Sequence, residues 1–182
     1  MMNRKAMVRE AFPALVILGM VEAVGGIFLS SSGAHAIPGM LAVVPALISL
    51  RGNISGSFAS RLGSLAHLGV FDPAHPFSSS KEGIKAAITL SVSFSAFAAI
   101  LASALTWMSG KVPDIYGVLT VTVLTSIVSS TILSSVAVLS VAFAFRHKID
   151  PDNVVVPLLS TVGDLLSIMI MSAFIWLWVV FV

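Results

Sequence analysis

Pro157, the adjacent Ser160 and Thr161, then Asp164, Ser167 and Met171 recur at helical steps of three or four inside the last long apolar stretch of the chain. On a helix that spacing puts all six on one face. An ionisable carboxylate at membrane depth is costly unless it meets water, a cation or a partner, so Asp164 is a candidate ion ligand. Hydroxyls at Ser160 and Thr161, with a carbonyl freed by Pro157, add hard oxygen donors, which suit Mg²⁺, Mn²⁺ or Ca²⁺ rather than copper or zinc. Mg²⁺ gives up water reluctantly, so one carboxylate per chain fits a hydrated ion better than an all-protein cage. A single acidic residue on this face also calls for a second copy of the chain.

Two other ionisable residues fall inside apolar stretches, Glu22 and Arg51. Arg51 could pair with Asp164 as a structural ion pair, or instead with Glu22. Glu22 could also serve as an entrance ligand or a protonatable coupling group. After Arg51, Gly52 bares neighbouring backbone carbonyls and Asn53 offers an amide oxygen. Asn53, Ser57, Ser60 and Ser64 then recur at helical spacing, as do Thr122, Ser126, Ser130 and Ser134 further on. Each stripe reads either as a seam for close helix packing or as one wall of a wet path; hydroxyls satisfied by their own helix are tolerated in lipid. His35, His67, His75 and His147 lack metal-ligand spacing and sit in or beside loops. Trp107, Trp176 and Trp178 lie toward span ends, where amphipathic rings anchor at the headgroups.

The elements that must position these residues are membrane-spanning helices. Hydrophobic residues make up 57% of the chain and charged residues only 10%, with mean hydropathy +1.04, far outside the range of soluble domains. Five stretches reach the roughly 20 residues needed to cross a bilayer: 11–31, 38–69, 84–108, 115–145 and 154–182. The loops between them carry breakers, Ser30 to Gly33, Asp72-Pro73, His75-Pro76, Gly110 with Pro113, and Asp150-Pro151. The second stretch would be roughly 48 Å long as a helix, and Pro45 is its expected weak point. The first stretch runs on past signal-peptide length and is read as a retained helix. Residues 1–182 thus form one all-α transmembrane domain.

Eight of the ten basic residues, Arg4, Lys5, Arg9, Arg61, Lys81, Lys85, Arg146 and Lys148, fall on the side of the N-terminus, and only Lys111 falls in an opposite loop. Basic residues are retained in the cytoplasm, so the N-terminus is expected inside and the C-terminus outside a multi-pass cell-membrane protein. The net charge of +2 is spread over loops rather than gathered into a patch, so nucleic-acid binding has no support. The absence of cysteine excludes disulfides, thiolate metal sites and cysteine nucleophiles.

Pro45-Ala46-Leu47-Ile48-Ser49-Leu50-Arg51-Gly52-Asn53, followed by Ala59-Ser60-Arg61-Leu62, resembles the second-span signature of the MgtE magnesium transporter family, and more closely its eukaryotic solute-carrier branch. Ile149-Asp150-Pro151-Asp152, then Pro157 to Asp164, is similar to that family's loop and fifth-span pattern ending in a pore aspartate. The resemblance covers nearly the whole chain. It implies a five-helix pore domain working as a pair, with the ion path at the interface and Asp164 as the selective site. Bacterial relatives place a cytoplasmic sensor, a helical N-domain with paired CBS modules, ahead of this domain; with about ten residues before the first span, that gate is not expected here. The eukaryotic branch fuses two five-helix units, so a homodimer is the natural way to complete the pore. Arg51 departs from the family's Gly-Gly-Asn, and a positive charge in the pore would oppose cations.

Together these readings give a homodimeric transporter or channel for a divalent cation, Mg²⁺ first, with Asn53, Gly52, Ser57, Ser126, Ser130, Pro157, Ser160 and Thr161 lining the path or holding the ion's water shell. The alternatives are a Na⁺- or H⁺-coupled exchanger of the same fold, an intramembrane lipid enzyme using Asp164 and Glu22, and a non-transporting membrane subunit. Acid-base chemistry needs a positioned partner group, which the sequence does not supply.

Overall fold

The computed structural model describes residues 4–147 and 151–182. In chain order it contains α1 (Arg4–Ser31), a single 3₁₀ turn (Ala34–Ala36), α2 (Met40–His67), α3 (Pro76–Met108), α4 (Ile115–Arg146) and α5 (Pro151–Phe181), with no strand among the described residues. Met40–His67, Pro76–Met108, Ile115–Arg146 and Leu159–Phe181 are long and apolar enough to cross a membrane; in α1 the described apolar part, Gly19–Ser31, is shorter. Lys148, Asp150 and the side chain of Pro157 lie outside the described residues.

The helices depart from the hydropathy reading at the start of α3 and at Pro45 of α2, and α1 and α5 also begin earlier than expected, at Arg4 and Pro151. α3 begins at Pro76 rather than near 84, with proline in the first turn, where its missing N–H leaves no intrahelical bond unmade. Its first turns are polar, and Lys85 donates to Glu82 at 2.8 Å, so the helix continues beyond the apolar part that hydropathy detects. α2 does not break at Pro45. That residue stands just past the first turn, so only the Leu41 carbonyl loses a donor, and the exposed ring meets no neighbouring helix. The turn into α2 is made instead by Gly39, whose φ of 98° belongs to glycine.

α2 and α4 form the centre of the bundle, each packed on the other and on both α3 and α5. Among the described residues α1 packs only on α5 and the 3₁₀ turn. The buried hydrophobic residues divide into two clusters along the bundle axis. One gathers Met40, Val43, Leu47, Val118, Val121 and Ile175 near the ends of the helices that follow the 3₁₀ turn. The other gathers Phe58, Leu62, Leu133, Val141, Val155 and Leu159 toward the opposite end. Contacts between the ends fix the register of the helices. Asp114 caps α4 by accepting from the Gly117 N–H (2.9 Å), and the Trp178 indole N–H donates to the same carboxylate (3.3 Å). At the other end, Arg146 donates to the Pro73 carbonyl.

Candidate ion site at mid-membrane

Between the two apolar clusters all four central helices turn polar. α2 contributes Arg51 and Ser55, α3 Ser91 and Ser95, α4 Thr122, Thr125, Ser126, Ser129 and Ser130, and α5 Ser167, all buried, with half-buried Asp164 beside them. Most of the hydroxyls are satisfied by their own helices: Thr125 donates to the Val121 carbonyl (2.7 Å), Ser130 to Ser126 (2.5 Å), Ser95 to Ser91 (2.7 Å) and Ser167 to Gly163 (2.6 Å). Such back-bonding lets a hydroxyl sit in an apolar bundle without a foreign partner.

Arg51 is only 3% exposed. Its guanidinium reaches α4, donating through Nη2 to Ser126 Oγ at 3.1 Å and through Nη1 to Ser129 Oγ. Ser129 in turn donates to the Thr125 carbonyl. The positive charge is therefore held between α2 and α4, and no ion pair with Asp164 or Glu22 exists among the described residues. This removes both pairings that the sequence left open. The charge is turned toward the hydroxyl-bearing face of α4. Ser129 and Thr125 escaped the sequence reading, which followed the Thr122, Ser126, Ser130 row; the signal available was the second row, Thr125 and Ser129, also four apart.

Asp164 faces differently. Its Oδ1 is buried and accepts no hydrogen bond. Ser160 and Thr161, one turn earlier, are half-buried on α5. Gly52 of α2 faces Ser160, and a Cβ there would stand in ordinary contact, 4.0 Å from the Ser160 Cβ. Gly163 makes the closer approach, toward α4, where a Cβ would stand 3.3 Å from Leu133 Cδ1.

α1 brings a second carboxylate. Gly25 lies directly under Ile168, where a Cβ would come within 2.9 Å of its Cδ1. Glu22 stands one turn before Gly25 and Asp164 one turn before Ile168, so the packing of α1 on α5 sets the two carboxylates on adjoining helices at a similar level. Asn53 and Ser57 are exposed and open onto a groove between α2 and α3, whereas Ser126 and Ser130 are buried within the bundle.

Asp164 thus keeps a buried carboxylate oxygen without a donor while the nearby guanidinium is held by Ser126 and Ser129. The family model for MgtE, described as a divalent cation transporter, matches residues 44–174. The chain belongs to the MgtE family. That family consists of transporters, which sets aside the reading as a lipid enzyme. The chain is 24% identical over 137 residues to solute carrier family 41 member 3 of Rattus norvegicus, a match covering 73% of this chain. It spans 30% of that relative's length. No solved structure matches. As an MgtE-family protein with four helices long and apolar enough to cross a membrane, the chain is a multi-pass membrane protein.

Proposed function

We propose that this MgtE-family chain moves a hydrated divalent cation, Mg²⁺ in the first place, along a path between two copies of itself, with Asp164 of each copy facing the ion. The observation that carries this reading is the orphaned Asp164 Oδ1 in a layer where the Arg51 guanidinium is already taken by Ser126 and Ser129. An acceptor left without a donor at that depth calls for a cation or its water. Glu22 adds a second negative charge on the neighbouring helix, and two chains meeting there would double both. Ser160 and Thr161 orient the water shell, and Mg²⁺ is favoured because it keeps its waters while accepting one or two carboxylates. The excess of Lys and Arg on one side supports an N-terminus in the cytoplasm of a cell-membrane protein.

Metal uptake into proteoliposomes tests the reading. Asp164→Asn preserves shape and removes charge, and its Mg²⁺ flux is expected to fall at least about tenfold, the equivalent of 1.4 kcal/mol. Equal flux in the native, Asn and Ala proteins refutes the role of Asp164. Imposing voltage, pH gradient and Na⁺ gradient one at a time separates conduction from exchange, since about 100 mV contributes about 2.3 kcal/mol per charge.

A further inference from the structure

A groove of about 620 Å³ runs between α2 and the first half of α3, away from Asp164. Its walls are mostly apolar, formed by Leu50, Ile54, Phe58, Leu62, Leu90 and Phe94, with Asn53 and Ser57 the polar interruptions along α2. Leu90 and Phe94 are half exposed, so the groove opens sideways, toward lipid rather than toward the bundle interior. Its floor depends on Gly83, where a Cβ would come within 2.7 Å of the Phe58 ring. At one end the lining changes character, to Arg61, Ser79 and Ser80. Arg61 is exposed and makes no hydrogen bond or ion pair among the described residues. Exposed Lys81 stands at the same end, whereas the charge of Lys85 is already matched by Glu82.

We infer that this groove holds an anionic phospholipid, with its phosphate on the Arg61 guanidinium and an acyl chain along the apolar walls. A planar guanidinium binds phosphate through paired hydrogen bonds, and a basic pocket between spanning helices is the known architecture for anionic headgroups. The dimensions agree. From Arg61 to Leu50 the groove follows α2 for about 16 Å at 1.5 Å per residue, close to half of the roughly 30 Å hydrocarbon core, which is the depth of one leaflet. The charge fits an anionic headgroup and repels a cationic one, and the single-leaflet depth fits a lipid better than a membrane-crossing helix of a second chain.

The test uses delipidated full-length protein and native mass spectrometry with phosphatidylglycerol, phosphatidylcholine and inorganic phosphate. Phosphatidylglycerol is expected to be retained, its binding falling at least tenfold in Arg61→Gln and in Ala86→Trp, which adds bulk at the groove's exposed rim on α3. Arg61→Lys is expected to retain most binding; phosphatidylcholine and inorganic phosphate are expected to bind weakly and equally in all variants. Phosphatidylglycerol retention unchanged in either Arg61→Gln or Ala86→Trp overturns the inference. So does a disulfide between two chains carrying Ala86→Cys in a bilayer, because a second copy would then occupy the groove.

Discussion

A double-mutant cycle between Arg51 and Ser126 examines how a fixed positive charge is housed at mid-membrane. The guanidinium is nearly inaccessible and rests on two seryl oxygens of α4. A hydrogen bond to a charged group contributes about 1.5–3 kcal/mol, and a donor stranded in a buried site costs its full desolvation. Ser126→Ala is therefore expected to destabilise the protein by about 1.5–3 kcal/mol, because Nη2 loses its acceptor at 3.1 Å. In an Arg51→Met background the Ser126 hydroxyl can turn to its own helix, and the same change is expected to cost almost nothing. The coupling energy should then approach the full 1.5–3 kcal/mol. Arg51→Met alone should be mild, since an apolar side chain of similar reach removes the desolvation of a buried ion. Arg51→Lys should be worse, because an ammonium cannot fork across two acceptors. Thermal unfolding in detergent reads these effects, at about 2–4 °C per kcal/mol for a chain of this size. Equal cost of Ser126→Ala in both backgrounds would refute the arrangement. Strong coupling between Arg51 and Asp164, expected to be near zero, would show that the guanidinium sits on the carboxylate instead.

Other substitutions probe the joints of the bundle. Gly117→Ala would set a methyl 2.3 Å from Asp114 Oδ2 and 2.9 Å from the Trp178 indole nitrogen, displacing both the cap and the indole bond; a loss of about 2–4 kcal/mol is expected in thermal melts, with Trp178→Phe losing only the smaller share. Gly25→Ala should be tolerated because the Ile168 Cδ1 that it meets is the end of a flexible side chain, whereas Gly25→Ile should part α1 from α5, shift Glu22 and weaken Mg²⁺-dependent thermal protection. In the α2–α3 loop, the His75 ring (3.0 Å) and the Ala74 N–H (2.8 Å) hold the Asp72 carboxyl below its ordinary range. A depressed carboxylate stabilises the loop above the unfolded value of about 3.9 and loses that contribution as pH falls through the folded value. A carboxyl-carbon NMR titration should show Asp72 titrating low and moving up in His75→Ala; an unchanged midpoint would remove the bond.

Much of the architecture is legible because lipid imposes it: runs of apolar residues with charged loops can only be spanning helices. Asp164, Glu22 and Arg51 stand out for the same reason. What hydropathy misses is helix outside the lipid, as in the polar first turns of α3 around Lys81 and Glu82, and the harmless position of Pro45 near a helix start. Partner choice is invisible in one dimension. Arg51 selects Ser129 and Ser126 through the crossing of α2 on α4, and Glu22 nears Asp164 only because Gly25 and Ile168 seat α1 on α5. Trp178 reads as a headgroup anchor, which fits the well-exposed Trp107 and Trp176, yet its indole N–H is spent on the Asp114 cap.

The seating of α1 on α5 joins a segment to one that leaves the ribosome well after it. At about 5–20 residues per second, α1 enters the bilayer on the order of ten seconds before the surface that receives it exists. During that interval its Glu22 must rest in the insertion machinery, in the headgroup zone or as the neutral acid. The docking of α1 therefore waits for α5, although α1 is made before it.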